Sequence, residues 1–130
     1  MDRHVALITG GAKGIGRGIA LDLAARHWSI AFCYRNSETE AKATAQSIMQ
    51  RGGQALALRC DVSDPTAAKG MVKQIEQEWG RIDVLINGAG PYHRVNLFDE
   101  TVEGWNEMFG GNLHPIFYLA QAVAPGMKAR

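Results

Sequence analysis

The sequence predicts an α/β fold in which a parallel sheet is covered by helices on both faces. Three observations carry this expectation: four short, nearly uninterrupted apolar runs, segments of helical length and period between them, and cap or turn residues where the two meet. Apolar runs without alternation suit strands buried on both sides, and strands separated by helix-length segments join in parallel through right-handed crossovers.

The first run is Val5 to Thr9 (VALIT), followed by a glycine-rich turn and a helical segment from Gly14 to His27 that carries Ile15, Ile19 and Leu23 on one stripe. Fourfold spacing puts them on one side of a helix. The second run, Ser29 to Tyr34 (SIAFCY), leads into another helix-length segment closed by Gly52-Gly53. The third, Gln54 to Cys60 (QALALRC), passes through Asp64 into a helix from Pro65 to Trp79, with Ala68, Met71, Val72, Ile75 and Trp79 on its apolar stripe. Asp before Pro suits a cap and first helical position, and Gly80 suits the helix end. The fourth run is Ile82 to Asn87 (IDVLIN), after which the chain becomes glycine-rich and polar (GAGPYHRVNLFDE). Thr101 to Arg130 reads mainly as helix, interrupted around GGNLHP, where Gly110, Gly111 and Pro115 predict a kink near Asn112.

A chain of 130 residues suits a single core, and its 46% hydrophobic and 21% charged residues are ordinary for a globular protein. The net charge of +1 provides no basic field for nucleic acid or an anionic membrane. Asp2, Arg3 and His4 lead into only four apolar residues before the glycines, which does not read as a signal peptide. No apolar run approaches the roughly 20 residues that span a bilayer. Cys33 and Cys60 lie in strand-like runs and are expected to be reduced core thiols of a cytoplasmic protein. His4, His27, His93 and His114 lack metal-ligand spacing, so no metal site is expected. Trp28, Trp79 and Trp105 are expected to be packing residues.

The chemistry begins with LITGGAKGIGRG, Leu7 to Gly18, where a strand ends in a glycine turn that opens a helix. Unpaired N–H groups at the positive end of a helix dipole suit a phosphate, and glycine lets the backbone approach it without a Cβ. Spacing decides between phosphate loops. A P-loop fails because Gly11 and Gly16 are followed by Arg17 and Gly18, and GxGxxG fails because Ile19 stands where the third glycine belongs. Thr9-Gly10-x3-Gly14-x-Gly16 remains, a pattern also compatible, taken alone, with a purely structural turn.

This spacing resembles the TGxxxGxG motif of the short-chain dehydrogenase/reductase family, and three later motifs follow in the family's order. CDVSD (Cys60 to Asp64) looks like the Asp-Val after the third strand. NGAG (Asn87 to Gly90) looks like the family's NNAG, with Gly88 departing from the usual second Asn. GWNEMFGGNL resembles its W-x(n)-NL segment. The resemblance covers essentially the whole chain and implies a Rossmann-like, doubly wound parallel sheet, truncated after the fourth strand and its following helix. It implies a cofactor-binding set of Gly10, Lys13, Gly14, Ile15, Gly16, Arg35, Asn36, Asp61, Val62, Asn87, Ala89 and Gly90, with Asp61 on the adenine ring, and Asn112 as the catalytic-site asparagine.

The choice of nicotinamide cofactor is read at the end of the second strand. An NAD site places a carboxylate there for the ribose 2′-OH. Here CYRNSE offers Arg35, with the nearest acid at Glu38, and Lys13 adds a charge of the kind that NADP-preferring members carry. A charge-assisted bond from Arg35 to a 2′-phosphate contributes about 1.5–3 kcal/mol, roughly a 10- to 100-fold preference. NADP is expected over NAD, unless Arg35 and Lys13 are merely solvated loop charges.

The family's proton relay also needs a Ser and a Tyr-x3-Lys pair, in which an ammonium lowers the phenol pKa. The residues four positions after Tyr34, Tyr92 and Tyr118 are Glu38, Asn96 and Ala122, so no such pair is present in these 130 residues. LAQAVAPGMKAR matches the family's helix before the fifth strand, and the missing residues would follow that strand. The resemblance therefore implies the cofactor-binding portion, residues 1–130, of an oxidoreductase that reduces a carbonyl or oxidises an alcohol, similar to 3-oxoacyl-[acyl-carrier-protein] reductases and inactive at this length. A non-catalytic nucleotide-binding or interaction module is the second reading. The fourth strand becomes an apolar edge, and that edge or the Trp105 to Met127 face is expected to support a homo-oligomer.

Overall fold

The computed structural model describes residues 2–130. Its four parallel strands are β1 (Val5–Thr9), β2 (Ser29–Tyr34), β3 (Gln54–Arg59) and β4 (Val84–Asn87), in the order β3-β2-β1-β4. Between and after them run α1 (Gly14–Ala25), α2 (Glu38–Gln50), α3 (Pro65–Trp79), α4 (Val102–Asn112) and α5 (His114–Ala129), with one 3-10 turn at Leu97–Asp99.

Alternation along the strands divides the core into two layers. Val5 and Leu7 of β1 join Ala31 and Cys33 of β2 against Ala68, Met71, Val72 and Ile75 of α3 and Leu119 and Val123 of α5. Ala6 and Ile8 join Ile30 and Phe32 on the opposite face, against Ala20, Leu21 and Ala24 of α1 and Ala41 and Ile48 of α2. Because successive side chains point to opposite faces, a five-residue run such as VALIT supplies both layers. The sheet is therefore doubly wound, as the sequence predicts.

The caps explain the boundaries that sequence located well. The Asp64 carboxylate accepts from Thr66 N–H (2.9 Å) and Ala67 N–H (3.4 Å), Pro65 opens α3, and Gly80 closes it at φ 74°. Other boundaries shift for identifiable reasons. Helix α1 ends at Ala25, short of His27, because His27 turns left-handed (φ 63°), with its N–H on Ala24 C=O and Trp28 N–H reaching back to Leu23 C=O. That bond pair closes a helix in a Schellman motif, here without the usual glycine. Strand β4 begins at Val84, not Ile82, because Asp83 ends the chain's approach: its carboxylate accepts Val5 N–H at 2.8 Å. Cys60 lies one residue past β3, although its N–H still bonds Tyr34 C=O.

The interruption expected around GGNLHP is a break between two helices at Leu113, and Pro115 serves in the first turn of α5. Two apolar assignments are corrected. Ile15 is 84% exposed and takes no part in the core stripe of α1, and Trp105 is 58% exposed, its ring tilted against Phe109 at 5.1 Å rather than packed inside. Cys33 and Cys60 are both buried free thiols; burial pushes Cys33 up to about 12 and Cys60 up to about 11, so both stay protonated at neutral pH. Among the described residues no helix is long and apolar enough to cross a membrane.

Burial tends to raise the Asp83 carboxyl, but the Arg81 guanidinium (2.6 Å), the Val5 amide and nearby His4 outweigh it and hold Asp83 below the usual carboxylate range. A depressed folded pKa contributes stability above the unfolded value and loses it as pH falls through the folded one. Asp83→Asn is expected to cost about 1–2 kcal/mol at pH 7, a penalty that shrinks as pH falls below about 4, measured by urea denaturation across pH.

Candidate functional site

Where strands β1, β2 and β4 end, and where the chain leaves β3, four segments enclose a cleft of about 940 Å³. Its walls are the glycine turn, the tip of β2, the Cys60 to Ser63 segment, and the loop after β4 with α4. Clefts at the carboxyl ends of parallel strands, where the strand order reverses, are where open α/β sheets bind ligands.

Close backbone approach builds the floor. The Thr9 hydroxyl accepts from both Gly88 N–H and Ala89 N–H at 3.1 Å, tying the end of β1 to the end of β4. A Cβ on Gly10 would lie 2.9 Å from Ala89 Cα, one on Gly88 would lie 2.6 Å from Thr9 O, and one on Gly16 would strike the Gly10 carbonyl. Gly88, the departure from NNAG, is thus the residue this backbone admits at that point. Thr44 on α2, which sequence reasoning did not single out, is fully buried and donates its hydroxyl to the Ala12 carbonyl at 2.8 Å, holding the turn from behind. Its only sequence signal is a polar residue on the buried stripe Ala41, Thr44, Ile48.

The opening of α1 fits a phosphate. Lys13 is the N-cap with extended backbone and no capping side-chain bond, and the first turn holds no acid. The first helical bond, Arg17 N–H to Lys13 C=O at 3.3 Å, leaves the N–H groups of Gly14, Ile15 and Gly16 ahead of the ladder, on residues that line the cleft. Gly14 sits at φ 60° with nothing within 4 Å of where a Cβ would be. That open, left-handed position is what a cradle for an anion requires.

Across the cleft stand Tyr34, Arg35, Asn36 and Ser37 at the β2 tip and Asp61, Val62 and Ser63 after β3. The Ser63 hydroxyl donates to Asp61 Oδ1 at 2.6 Å, joined by Ser63 N–H at 3.1 Å. That hydroxyl bond chiefly, with the amide and the Arg35 charge, holds the Asp61 carboxyl below its ordinary range. An exposed carboxylate ionised at neutral pH suits acceptance from an exocyclic amine. On the third side, Ala89 and Gly90 lead into Pro91, facing Glu107, Met108, Gly110 and Gly111 of α4.

Eleven of the sequence-expected residues, Gly10, Lys13, Gly14, Ile15, Gly16, Arg35, Asn36, Asp61, Val62, Ala89 and Gly90, line this one cleft. Two others stand apart. Asn87 ends β4 opposite Thr9, and Asn112 turns its amide onto the Pro91 and Met108 carbonyls, both at 2.9 Å. Asn112 thereby clamps the loop to the last turn of α4, and a Cβ on Gly111 would lie 2.5 Å from the Pro91 ring. Ser37, Ser63 and Glu107 also line the cleft; Ser63 and Glu107 fall inside the CDVSD and GWNEMFGGNL motifs but are not among the residues expected to bind the cofactor. Among the described residues no cluster of three or more His, Cys, Asp or Glu is arranged to hold a metal ion.

A doubly wound sheet with a glycine turn opening α1 beneath such a cleft has the build of a nucleotide-binding α/β protein. The short chain dehydrogenase family model matches residues 4–130, and the chain belongs to that family. It is 34% identical over 122 residues to the 3-oxoacyl-[acyl-carrier-protein] reductase FabG of Staphylococcus aureus, covering 94% of this chain and 50% of that protein. It is 33% identical over 117 residues to the hydroxynaphthalene reductase arp2 of Aspergillus fumigatus, covering 90% of this chain and 43% of that protein. A dehydrogenase/reductase from Sinorhizobium meliloti superposes with a TM-score of 0.93 at 31% identity, over 98% of this chain and 50% of the other. The chain thus spans about half the length of the relatives it matches.

Thr44→Val leaves the Ala12 carbonyl buried without its donor, and is expected to lower unfolding free energy by about 1–3 kcal/mol in urea denaturation. Gly16→Ala places a methyl against the Gly10 carbonyl and is expected to deform the turn, read as a loss of dinucleotide binding greater than its loss of stability.

Proposed function

We propose that this chain is the cofactor-binding portion of an NADP(H)-dependent oxidoreductase that reduces a carbonyl or oxidises an alcohol. The reading is carried by one observation: the free N–H groups of the α1 opening, the Arg35 side of the β2 tip and the Asp61 carboxylate line a single cleft. The pyrophosphate would lie on Gly14 to Gly16, the adenine beside Asp61 and Val62, and the 2′-phosphate against Arg35 with Asn36 adjacent and Lys13 contributing charge. The bound nicotinamide would supply or accept the hydride. Ile15, exposed at the head of α1, and Ala89 and Gly90 at the loop mouth would pack along the dinucleotide and keep water from it.

Asn112 is the one residue of the relay that the resemblance implies in these 130 residues. Its amide is committed to Pro91 and Met108, so its contribution is to place the loop and the helix break rather than to exchange protons with its side-chain nitrogen. The acid or base for the proton would come from a Tyr-x3-Lys pair that these residues do not contain. The substrate class is drawn from similarity to the two named reductases, and cytoplasmic location is the accompanying expectation. Val102, Trp105, Phe109, Ile116 and Phe117 leave an exposed apolar face on α4 and α5, consistent with association of copies.

Fluorescence titration of the 130-residue chain is expected to show NADPH binding roughly 10- to 100-fold tighter than NADH, with Arg35→Ala removing most of the difference. Equal affinity for the two, or binding of neither, rejects the reading. No turnover of a ketone is expected from this chain alone, and sedimentation at micromolar concentration is expected to show species larger than a monomer.

A further inference from the structure

Strands β2 and β3 pair in parallel as far as Tyr34 opposite Arg59, and there the ladder ends. Two successive carbonyls at the β2 tip are nevertheless held from the β3 side. Tyr34 C=O accepts Cys60 N–H at 3.0 Å, and Arg35 C=O accepts the Nε–H of Arg59 at 3.1 Å. The first is a backbone bond that any residue would make. The second depends on a side chain: the Arg59 Nε–H on the neighbouring strand tip reaches the carbonyl of Arg35, which lines the cleft with Lys13.

Arg59 itself is exposed and lies outside the cleft lining, and among the described residues it forms no ion pair with a carboxylate. Its bond therefore has no counter-charge to explain it. Arg35 is a different case, since its side faces the cleft and its charge reaches Asp61. Without Arg59, the Arg35–Asn36 peptide would lose the bond on its carbonyl at the point where the chain leaves the sheet, and the backbone that carries the Arg35 side chain would be held on the Tyr34 side alone.

We propose that Arg59 is a positioning residue for cofactor discrimination, fixing the Arg35 peptide so that the Arg35 guanidinium is presented to a ribose 2′-phosphate. This deepens the NADP(H) reading and rests on it. Lysine is not equivalent to Arg59 in this role, because a methylene stands where the arginine Nε–H donates and its ammonium lies one bond further out.

The experiment is a set of dissociation constants for NADPH and NADH, measured by fluorescence on the 130-residue chain and on Arg59→Ala, Arg59→Lys, Arg35→Ala and the Arg35→Ala/Arg59→Ala double variant. Arg59→Ala is expected to weaken NADPH binding about five- to tenfold while moving NADH by no more than about twofold, the size of losing one hydrogen bond that orders a charged contact. Arg59→Lys is expected to resemble Arg59→Ala, and in the double variant the Arg59 change is expected to add nothing to the Arg35 loss. Thermal midpoints without cofactor are expected to be unchanged, since the side chain is exposed.

Full retention of preference in Arg59→Lys would show that charge alone acts and overturn the proposal, as would additive losses in the double variant or no change in Arg59→Ala. These outcomes leave the NADP(H) reading standing, whereas an unmodified chain that does not distinguish NADPH from NADH brings down both.

Discussion

The structure depends on backbone meeting backbone where two neighbouring strands, β1 and β4, end. At most places in a protein side chains keep main chains apart, but here the Gly10, Gly16 and Gly88 positions bring the glycine turn, the opening of α1 and the exit of β4 to within van der Waals contact. The Thr9 hydroxyl accepts from the Gly88 and Ala89 N–H groups at this contact. With Cβ atoms excluded, the amides ahead of the α1 ladder belong to the wall of the cleft. The cleft is thus a consequence of packing at the strand ends, not a hollow left between finished elements.

The two core layers keep that junction rigid. Each strand contributes side chains to both, so a shift of β1 against β4 would disturb α1 and α2 on one side and α3 and α5 on the other. Thr44 brings the glycine turn under the same constraint, through a hydroxyl that α2 carries into the core. At the opposite end of the strands, Asp83 with Arg81 fixes where β4 begins relative to Val5. The site is therefore positioned from both ends of the central strand pair.

Much of this was legible in the sequence because the signals are local. Asp64-Pro65 and Gly80 mark α3 through caps that need only neighbouring residues, and VALIT and SIAFCY mark strands buried on both faces. Spacing within the glycine turn narrows the kind of phosphate loop, and the cleft residues follow from the motifs that resemble the short-chain dehydrogenase/reductase family. What sequence did not reveal depends on distant partners. The buried hydroxyl of Thr44 has meaning only opposite Ala12, and Arg59 only beside Arg35. Ile15 fits a helical stripe by period, yet it belongs to the first turn, which projects beyond the sheet into the cleft. Trp105 lies outside the core because α4 buries none of its residues, something that an apolar count along one helix cannot disclose.

That last feature bears on motion. Helix α4 supplies one wall of the cleft through Met108, Gly110 and Gly111, yet it is anchored chiefly by the Asn112 clamp, the Pro91 contact and its neighbour α5. Elements with little buried apolar surface open locally at a fraction of the global unfolding free energy. Amide hydrogens on α4 would accordingly exchange well before those of β1 or β2, and a ligand filling the cleft would slow that exchange by mass action on the closed form. The wall least secured by the fold is the one whose order a ligand in the cleft would most increase.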